Sequence, residues 1–256
     1  MPEQAPEEGR YIYCITRGGE HRTFDTRGLG DSSGQVYTIP RAGLSAVVSD
    51  SAVVDYERSR RNMIVHTLVQ EEVIRDQPIL PVRFGTVAPD AESLRDKLLE
   101  RRRAEFGSLF AEVEGRVELG LKAFWRENVP FGEIIEENED IRCLRDRLMD
   151  RTPEETYYER VRLGQMVVDE VNRRRDAAAD AIMSLLRPLA CKSKVNVNLG
   201  ERMVVNAAFL VDKSAEEGFD QTVRELGAQM EHRLAFKYVG PVPPYNFVNI
   251  IVSWDG

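Results

Sequence analysis

The chain is poor in the residues from which most catalytic and metal centres are built. Histidine and cysteine each occur only three times in 256 residues. Cys14, Cys143 and Cys191 are widely spaced and form no CxxC pair. An odd, scattered set excludes a disulfide framework and fits small thiols in a reducing compartment. His21, His66 and His232 fall on three separate segments, so a histidine metal cluster is not expected. The sequence has no GxxxxGK[ST] to cradle a phosphate, no HExxH to hold zinc and no GxSxG elbow. Positive charge is also short: 35 Lys and Arg stand against 43 Asp and Glu, giving a net charge of -8 and a pI near 5.2. That balance excludes the global basic footprint of a nucleic-acid or anionic-membrane binder. No run approaches the roughly 20 apolar residues that span a bilayer. Met1 to Arg10 is acidic and proline-containing, where a signal peptide is basic and then apolar. The expectation is a cytoplasmic globular protein with a disordered lead-in over residues 1–10.

What remains is an α+β pattern. Tyr11–Thr16, Val36–Ile39 and Leu44–Ser49 read as strands, separated first by a Gly- and Asp-rich loop. Tyr56–Gln77 turns helical, with Val65, Val69 and Val73 in one apolar stripe flanked by Ile64 and Leu68. Ile79–Val87 is an apolar run that Pro81 demotes to an edge or bulged strand. A helix then begins at Pro89-Asp90 with Leu94, Leu98 and Leu109 on one side. Arg116–Arg126 alternates Val117, Leu119, Leu121, Ala123 and Trp125 against Glu118, Gly120, Lys122 and Arg126, a strand with one wet face. The acid-rich stretch Asn128–Glu139 reads as a domain boundary. Thr152-Pro153-Glu154-Glu155 supplies a capping signature for a helix reaching about Leu186. A hairpin follows, Lys194–Leu199 returning over Met203–Asp212, then a helix over 214–233 and strands at 235–239 and 246–253. The order predicts two α+β domains, a sandwich over 11–128 and a modified ferredoxin-like unit over 129–256.

Charged and glycine-rich stretches read mostly as surface. The arginine runs 101–103 and 173–175 have acidic neighbours and read as solvated helix faces. Gly28, Gly30 and Gly34 have the wrong spacing for a dinucleotide fingerprint and read as a flexible loop. Glu133, Glu136, Glu137, Glu139 and Asp140 lack the glycine and spacing of a calcium loop. His66 sits at the border of the apolar stripe and is the one histidine placed to act as a general base, with Glu72 or Arg83 near it in the pattern. The alternative is a packed, hydrogen-bonded ring. Arg83, inside an apolar run, is expected to be ion-paired, and Lys122 points from the wet strand face.

Gly240-Pro-Val-Pro-Pro-Tyr-Asn-Phe-Val248 places three prolines in four residues, a stiff extended path that positions Tyr245 and Phe247. It reads as a corner joining the last two strands, or as a docking edge. Together with Ile79–Val87 and Val117-Glu-Leu-Gly-Leu-Lys122, in that order, it resembles the signature segments of the gas vesicle proteins GvpL and GvpF. The resemblance runs from about Arg10 to Asp255. In this chain Val242 stands where the family's last motif usually has tryptophan. The resemblance implies a non-enzymatic, cofactor-free accessory protein of gas vesicle assembly. It implies two α+β domains and a minor component or assembly factor whose partners are the small amphipathic shell protein and other gas vesicle accessory proteins; the charge balance and the lack of long apolar runs speak against nucleic acid and lipid membrane as partners. The candidate partner-binding residues are Arg83, Phe84, Lys122, Pro243, Pro244, Tyr245 and Phe247. The rival reading is an enzyme using His66 with a nearby carboxylate.

Overall fold

The structure, a computed structural model, describes residues 8–30, 34–127 and 129–254. Most of the expected lead-in therefore lies outside the described residues, and Glu8, Gly9 and Arg10 already belong to a strand. The architecture is mixed α+β with two sheets. The chain divides into two units, Met1–Glu118 with Pro241–Gly256, and Leu119–Gly240. The sequence reading placed a single break at 128. The strand Arg116–Trp125, which ends just before that point, belongs to the second sheet, and the C-terminal tail groups with the first unit.

In the first unit β1 (Glu8–Arg17), β2 (Thr23–Phe24), β3 (Val36–Arg41), β4 (Leu44–Ala52) and β5 (Ile79–Pro81) form a sheet ordered β2-β3-β4-β1-β5, and β6 (Val87–Ala88) also pairs β1. The β1–β4 register slips between Ile12 and Cys14. An extra residue reverses the facing of everything after it. Ile12 and Ile15 accordingly pack with Leu94, Leu98, Leu99, Phe106 and Phe110, whereas Tyr11, Tyr13 and Cys14 pack with Val69 and Val73. The sheet is thus covered on both faces. On one side lies α1 (Arg60–Asp76); on the other lie α2 (Ala91–Ser93), running on as a π-helical stretch over Leu94–Glu100, and α3 (Arg103–Val113). Asp90 caps the first of these by accepting from Ser93 N (2.6 Å).

Three expectations in this unit are revised. The glycine loop is held: Leu29 N donates to Tyr13 Oη and Ser49 Oγ donates to Leu29 O, both at 2.5 Å. A Cβ on Gly28 would meet Tyr13 Oη, Val36 and Ser49, so the glycine serves close approach. The tail is not a strand. Its one ladder contact is an isolated bridge between Val82 and Ile250. Val248 and Ile250 are nevertheless buried in the core, which explains the apolar pattern without strand pairing. Arg102, expected on a solvated face, pairs with Glu105 (2.6 Å) and donates to Ile251 O (2.9 Å), holding that tail.

In the second unit β7 (Arg116–Trp125), β8 (Lys192–Val195), β9 (Met203–Asp212) and β10 (Leu234–Val242) form a sheet ordered β10-β7-β9-β8. Helices α4 (Val129–Glu137), α5 (Glu139–Met149) and α6 (Tyr157–Leu186) follow β7, and α7 (Glu216–Gln229) follows β9. Strand, helices, strand, strand, helix, strand is the order of a split βαβ unit. α6 runs unbroken for 30 residues, about 45 Å at 1.5 Å per residue. It begins at Tyr157 rather than after Thr152, because 153–156 form a turn in which Thr156 Oγ1 donates to Thr152 O (2.8 Å).

The stretch expected to be a solvated acidic linker is helical and partly buried. Arg174, 8 % exposed, pairs with Glu133 (3.1 Å), Glu137 (2.9 Å) and Glu170 (2.8 Å), pinning α4 to α6. Arg233 also reaches Glu133 at 2.7 Å. The Arg173 and Arg174 guanidiniums hold the Glu170 carboxyl down at about 2. A sequence window that reads 133–140 and 173–175 separately misses ion pairs formed across some 40 residues.

Candidate partner-binding site

The 79–87 segment is two short strands with an outward loop between them. β5 ends at Pro81, which sits at the sheet edge as a residue without an N–H should. Val82 N donates to Tyr13 O (3.0 Å) and Ile12 N donates to Thr86 O (2.9 Å), so both ends of the loop are fixed at the β1 bulge. Gly85 at φ +83° and a Thr86 Oγ1 bond to Arg83 O (2.7 Å) close the turn. Arg83 is consequently exposed, and it forms no ion pair among the described residues. The expected buried pair fails because the chain turns outward at that point.

Beneath the loop lies a buried polar cluster. Tyr11 Oη accepts from Gly85 N (3.1 Å) and lies 2.9 Å from His66 Nδ1, while His66 Nε2 lies 3.2 Å from Val82 O. The same His66 Nε2 also lies 2.9 Å from Gln70 Nε2, so that ring nitrogen faces one acceptor and one donor. Gln70 Nε2 donates to Tyr13 O (2.5 Å). Burial pushes the His66 pKa down to about 4 and the Tyr13 pKa up to about 12. The partners of His66 are a tyrosine, a glutamine and a carbonyl. Glu72 instead accepts from Asp25 N and Thr26 N at 2.9 and 2.8 Å. The expected histidine–carboxylate pair is therefore not formed, and His66 is a packed ring neutral near pH 7.

The proline segment closes one side of the same cleft. Pro243 and Pro244 are buried, Phe247 is half-buried and Tyr245 is exposed. Tyr245 N donates to Pro243 O (2.7 Å), and Val248 N donates to Pro244 O (2.9 Å), making a tight turn. The buried Glu118 carboxylate accepts from Asn246 N (2.9 Å) and Asn246 Nδ2 (2.6 Å). Gly240–Val248 is therefore a chain crossing from the second unit's sheet into the first unit, fixed by a carboxylate, and not a corner between two strands.

Met63, His66, Thr67, Arg83, Phe84 and Tyr245 line a cleft of ≈ 310 Å³ in the first unit. Along α1 it continues past Thr67 onto Met63, Ile64 and Leu68, each 47 to 48 % exposed, beside Arg58, Arg60 and Glu71. Of the residues singled out by sequence, Arg83, Phe84 and Tyr245 are brought together here. Pro243, Pro244 and Phe247 support the turn, and Lys122 lies in the second unit, outside the cleft lining. Ile64 and Leu68, expected to flank the core stripe, are solvent-facing. At 3.6 residues per turn they lie about half a turn from the buried His66, Val69, Gln70 and Val73, a signal available in the sequence. Nothing in the sequence flags Glu118, which occupies a wet-face position.

A family model described as gas vesicle synthesis protein GvpL/GvpF matches residues 9–249. The chain belongs to the GvpL/GvpF family. Gas vesicle protein F of Nostoc sp. is 28% identical over 244 residues, covering 94% of this chain and 98% of that protein. Gas vesicle protein L1 of Halobacterium salinarum is 26% identical, with 96% and 92% covered. The crystal structure of GvpF from Anabaena sp. PCC7120 superposes with a TM-score of 0.81 at 27% identity, over 96% of this chain and 100% of that one. GvpF of Microcystis aeruginosa gives a TM-score of 0.73, also at 27% identity, over 93% and 98%. Membership of this family supports a gas vesicle-related protein and gives the histidine-enzyme reading no support.

Proposed function

We propose that this GvpL/GvpF family member is an accessory protein of gas vesicle assembly that binds the small amphipathic shell protein. The cleft and the adjoining α1 face are the docking surface. The observation that carries the reading is the unburied stripe Met63, Ile64 and Leu68 running into the Arg83–Phe84–Tyr245 cleft. Apolar residues aligned on one helix face beside a cleft are suited to receive an amphipathic segment. The charged side chains along this surface are Arg58, Arg60, Arg83 and one glutamate, Glu71. A basic rim on a protein of net charge -8 selects an apolar segment carrying acidic residues, while the remaining acidic surface keeps the carrier in solution. The two exposed thiols, Cys143 and Cys191, together with the buried Cys14, accord with a cytoplasmic site of action.

Deleting the coding sequence and fractionating the cells tests this. The expected result is loss of mature vesicles, with the wild-type protein co-purifying with shell subunit. Retention on washed vesicles identifies a minor component, and recovery only in the soluble fraction identifies a transient assembly factor. Normal vesicles in the deletion strain, together with no capture of shell subunit, contradict the proposal.

A further inference from the structure

In its first half α6 carries an apolar stripe that the second unit leaves bare. Tyr157, Val161, Gly164, Val168 and Val171 follow one another at spacings of four and three, the rhythm of a helix seam. At 100° per residue they lie within an arc of about 80°. Tyr157, Val161 and Val168 are 63, 55 and 52 % exposed, Gly164 is exposed as well, and Val171 is half-buried. The opposite side of the helix holds it in the unit, with Arg174 pinned to α4 and Leu163, Met166 and Val167 half-buried. Continued at the same spacing, the stripe reaches Ile182, which is buried. This face is therefore covered in the second half of α6 and uncovered in the first. Gly164 lies in the middle of the uncovered part. Glycine is a poor helix former, and a Cβ on Gly164 would meet nothing within 4 Å. No contact among the described residues calls for the missing side chain. The two ends of the stripe carry opposite charges, since at the same spacing Glu154 precedes Tyr157 and Arg175 follows Val171.

We infer that this face takes a second copy of the chain, the two α6 helices packing antiparallel and crossing at Gly164. The pattern is its own complement about that point. Val161 and Val168 lie on either side of the glycine, so each valine of one copy faces its counterpart of the other. The two glycines let the axes come closer than the usual spacing of about 8–10 Å. Glu154 of each copy then stands over Arg175 of the other. A parallel pair would set Glu154 against Glu154 and Arg175 against Arg175, and like charges across an interface are unfavourable. A second copy thus supplies valines, a glycine at the crossing and the opposite charge at each end, all at matching distances. The stripe from Tyr157 to Val171 is about 21 Å long, short of an interface of standard size, so the dimer is weak, with a Kd on the order of 100 µM. The inference is independent of the shell-protein reading.

Sedimentation equilibrium of the full chain between about 10 µM and 1 mM, which brackets that Kd, is expected to show a reversible monomer–dimer equilibrium. Gly164→Gln is expected to move two quantities in opposite directions. It raises the melting temperature, because a better helix former enters open space. It weakens the dimer at least about tenfold, because side chains now meet at the crossing. Val161→Glu weakens the dimer by a similar factor at unchanged helix content. Direction is read from a nitroxide on Asp176→Cys, in a background carrying Cys143→Ser and Cys191→Ser to remove the two exposed thiols. Antiparallel crossing at Gly164 places the two labels about 35 Å apart along the helices, whereas a parallel pair holds them within about 20 Å. Should Gly164→Gln fail to fold, Val161→Glu and the label distance still decide. A chain that stays monomeric at about 1 mM, a dimer indifferent to both substitutions, or labels within about 20 Å overturns the proposal.

Discussion

At the scale of single residues, His66 determines how the first unit responds to acid. In the unfolded chain it titrates near 6.5, its ordinary value; in the folded protein it titrates at about 4. Above pH 6.5 both states hold it neutral and its contribution to stability is complete. Between those values only the unfolded chain takes up the proton, so stability falls as pH drops through the window, by up to about 3 kcal/mol. Chemical denaturation at pH 7 and pH 4.5 measures this. Wild type is expected to lose most of that amount on acidification, whereas His66→Gln, already less stable at pH 7, loses markedly less. Equal acid sensitivity in the two proteins would show that the histidine is not the responsible group. The sequence disclosed that His66 borders a helical stripe, and the packed reading was available from it. Its partners from outside α1 were not, because Tyr11 and Val82 reach it only through the β1 bulge and the 82–86 loop.

At the scale of elements, two buried ionic contacts hold pieces that propensity alone would leave loose. Arg174→Ala leaves Glu133 with Arg233 and Glu170 with Arg173 as their remaining cations and loosens α4 from α6, at about 1.5 to 3 kcal/mol, the range for losing hydrogen bonds to a charged group. The expected signature is faster amide exchange over Val129–Glu137 with the β7–β10 sheet unchanged. Glu118→Ala leaves the Asn246 N–H and amide without their acceptor, at about 2 kcal/mol. Exchange is expected to rise at Tyr245–Val248, and protection identical to wild type there would refute the anchoring role. Regular elements with one buried and one wetter face, β7 and α1, show their period in the sequence, whereas β8 lies at Lys192–Val195 and not at the expected 194–199, with Val195, Val197 and Leu199 exposed, and the expected α6 face includes the exposed Val161, Val168 and Leu185. Elements stabilised from a distance were not legible. α4 looks like an acidic linker until Arg174 is placed beside it, and the 246–253 tail looks like a strand because core burial of Val248 and Ile250 imitates alternation.

At the scale of the whole molecule, net charge and local surface disagree, and the proposed docking rests on that disagreement. The chain is acidic overall, yet Arg58, Arg60 and Arg83 flank the exposed α1 stripe with only Glu71 opposing them. Association through that rim weakens as salt rises toward the roughly 10 Å screening length of 0.1 M. Because Ile64 is already half-exposed, Ile64→Asp is expected to change stability by no more than about 0.5 kcal/mol, so any loss of binding reports the surface and not the fold. Family membership was legible from three ordered segments. The proposed docking face was legible only in part, since Arg83, Phe84 and Tyr245 lie in the conspicuous motifs, while Ile64 and Leu68 were masked by neighbours that do enter the core.

The most direct measurement is a titration of purified shell subunit into wild type and into the double variant Ile64→Asp/Arg83→Glu at low salt, with both proteins verified to have the same melting temperature. Docking on the α1 face predicts saturable binding to wild type and at least about tenfold weaker binding to the variant, as expected when a central contact of an interface is removed. Equal affinity in the two proteins, or no binding to wild type, would contradict it.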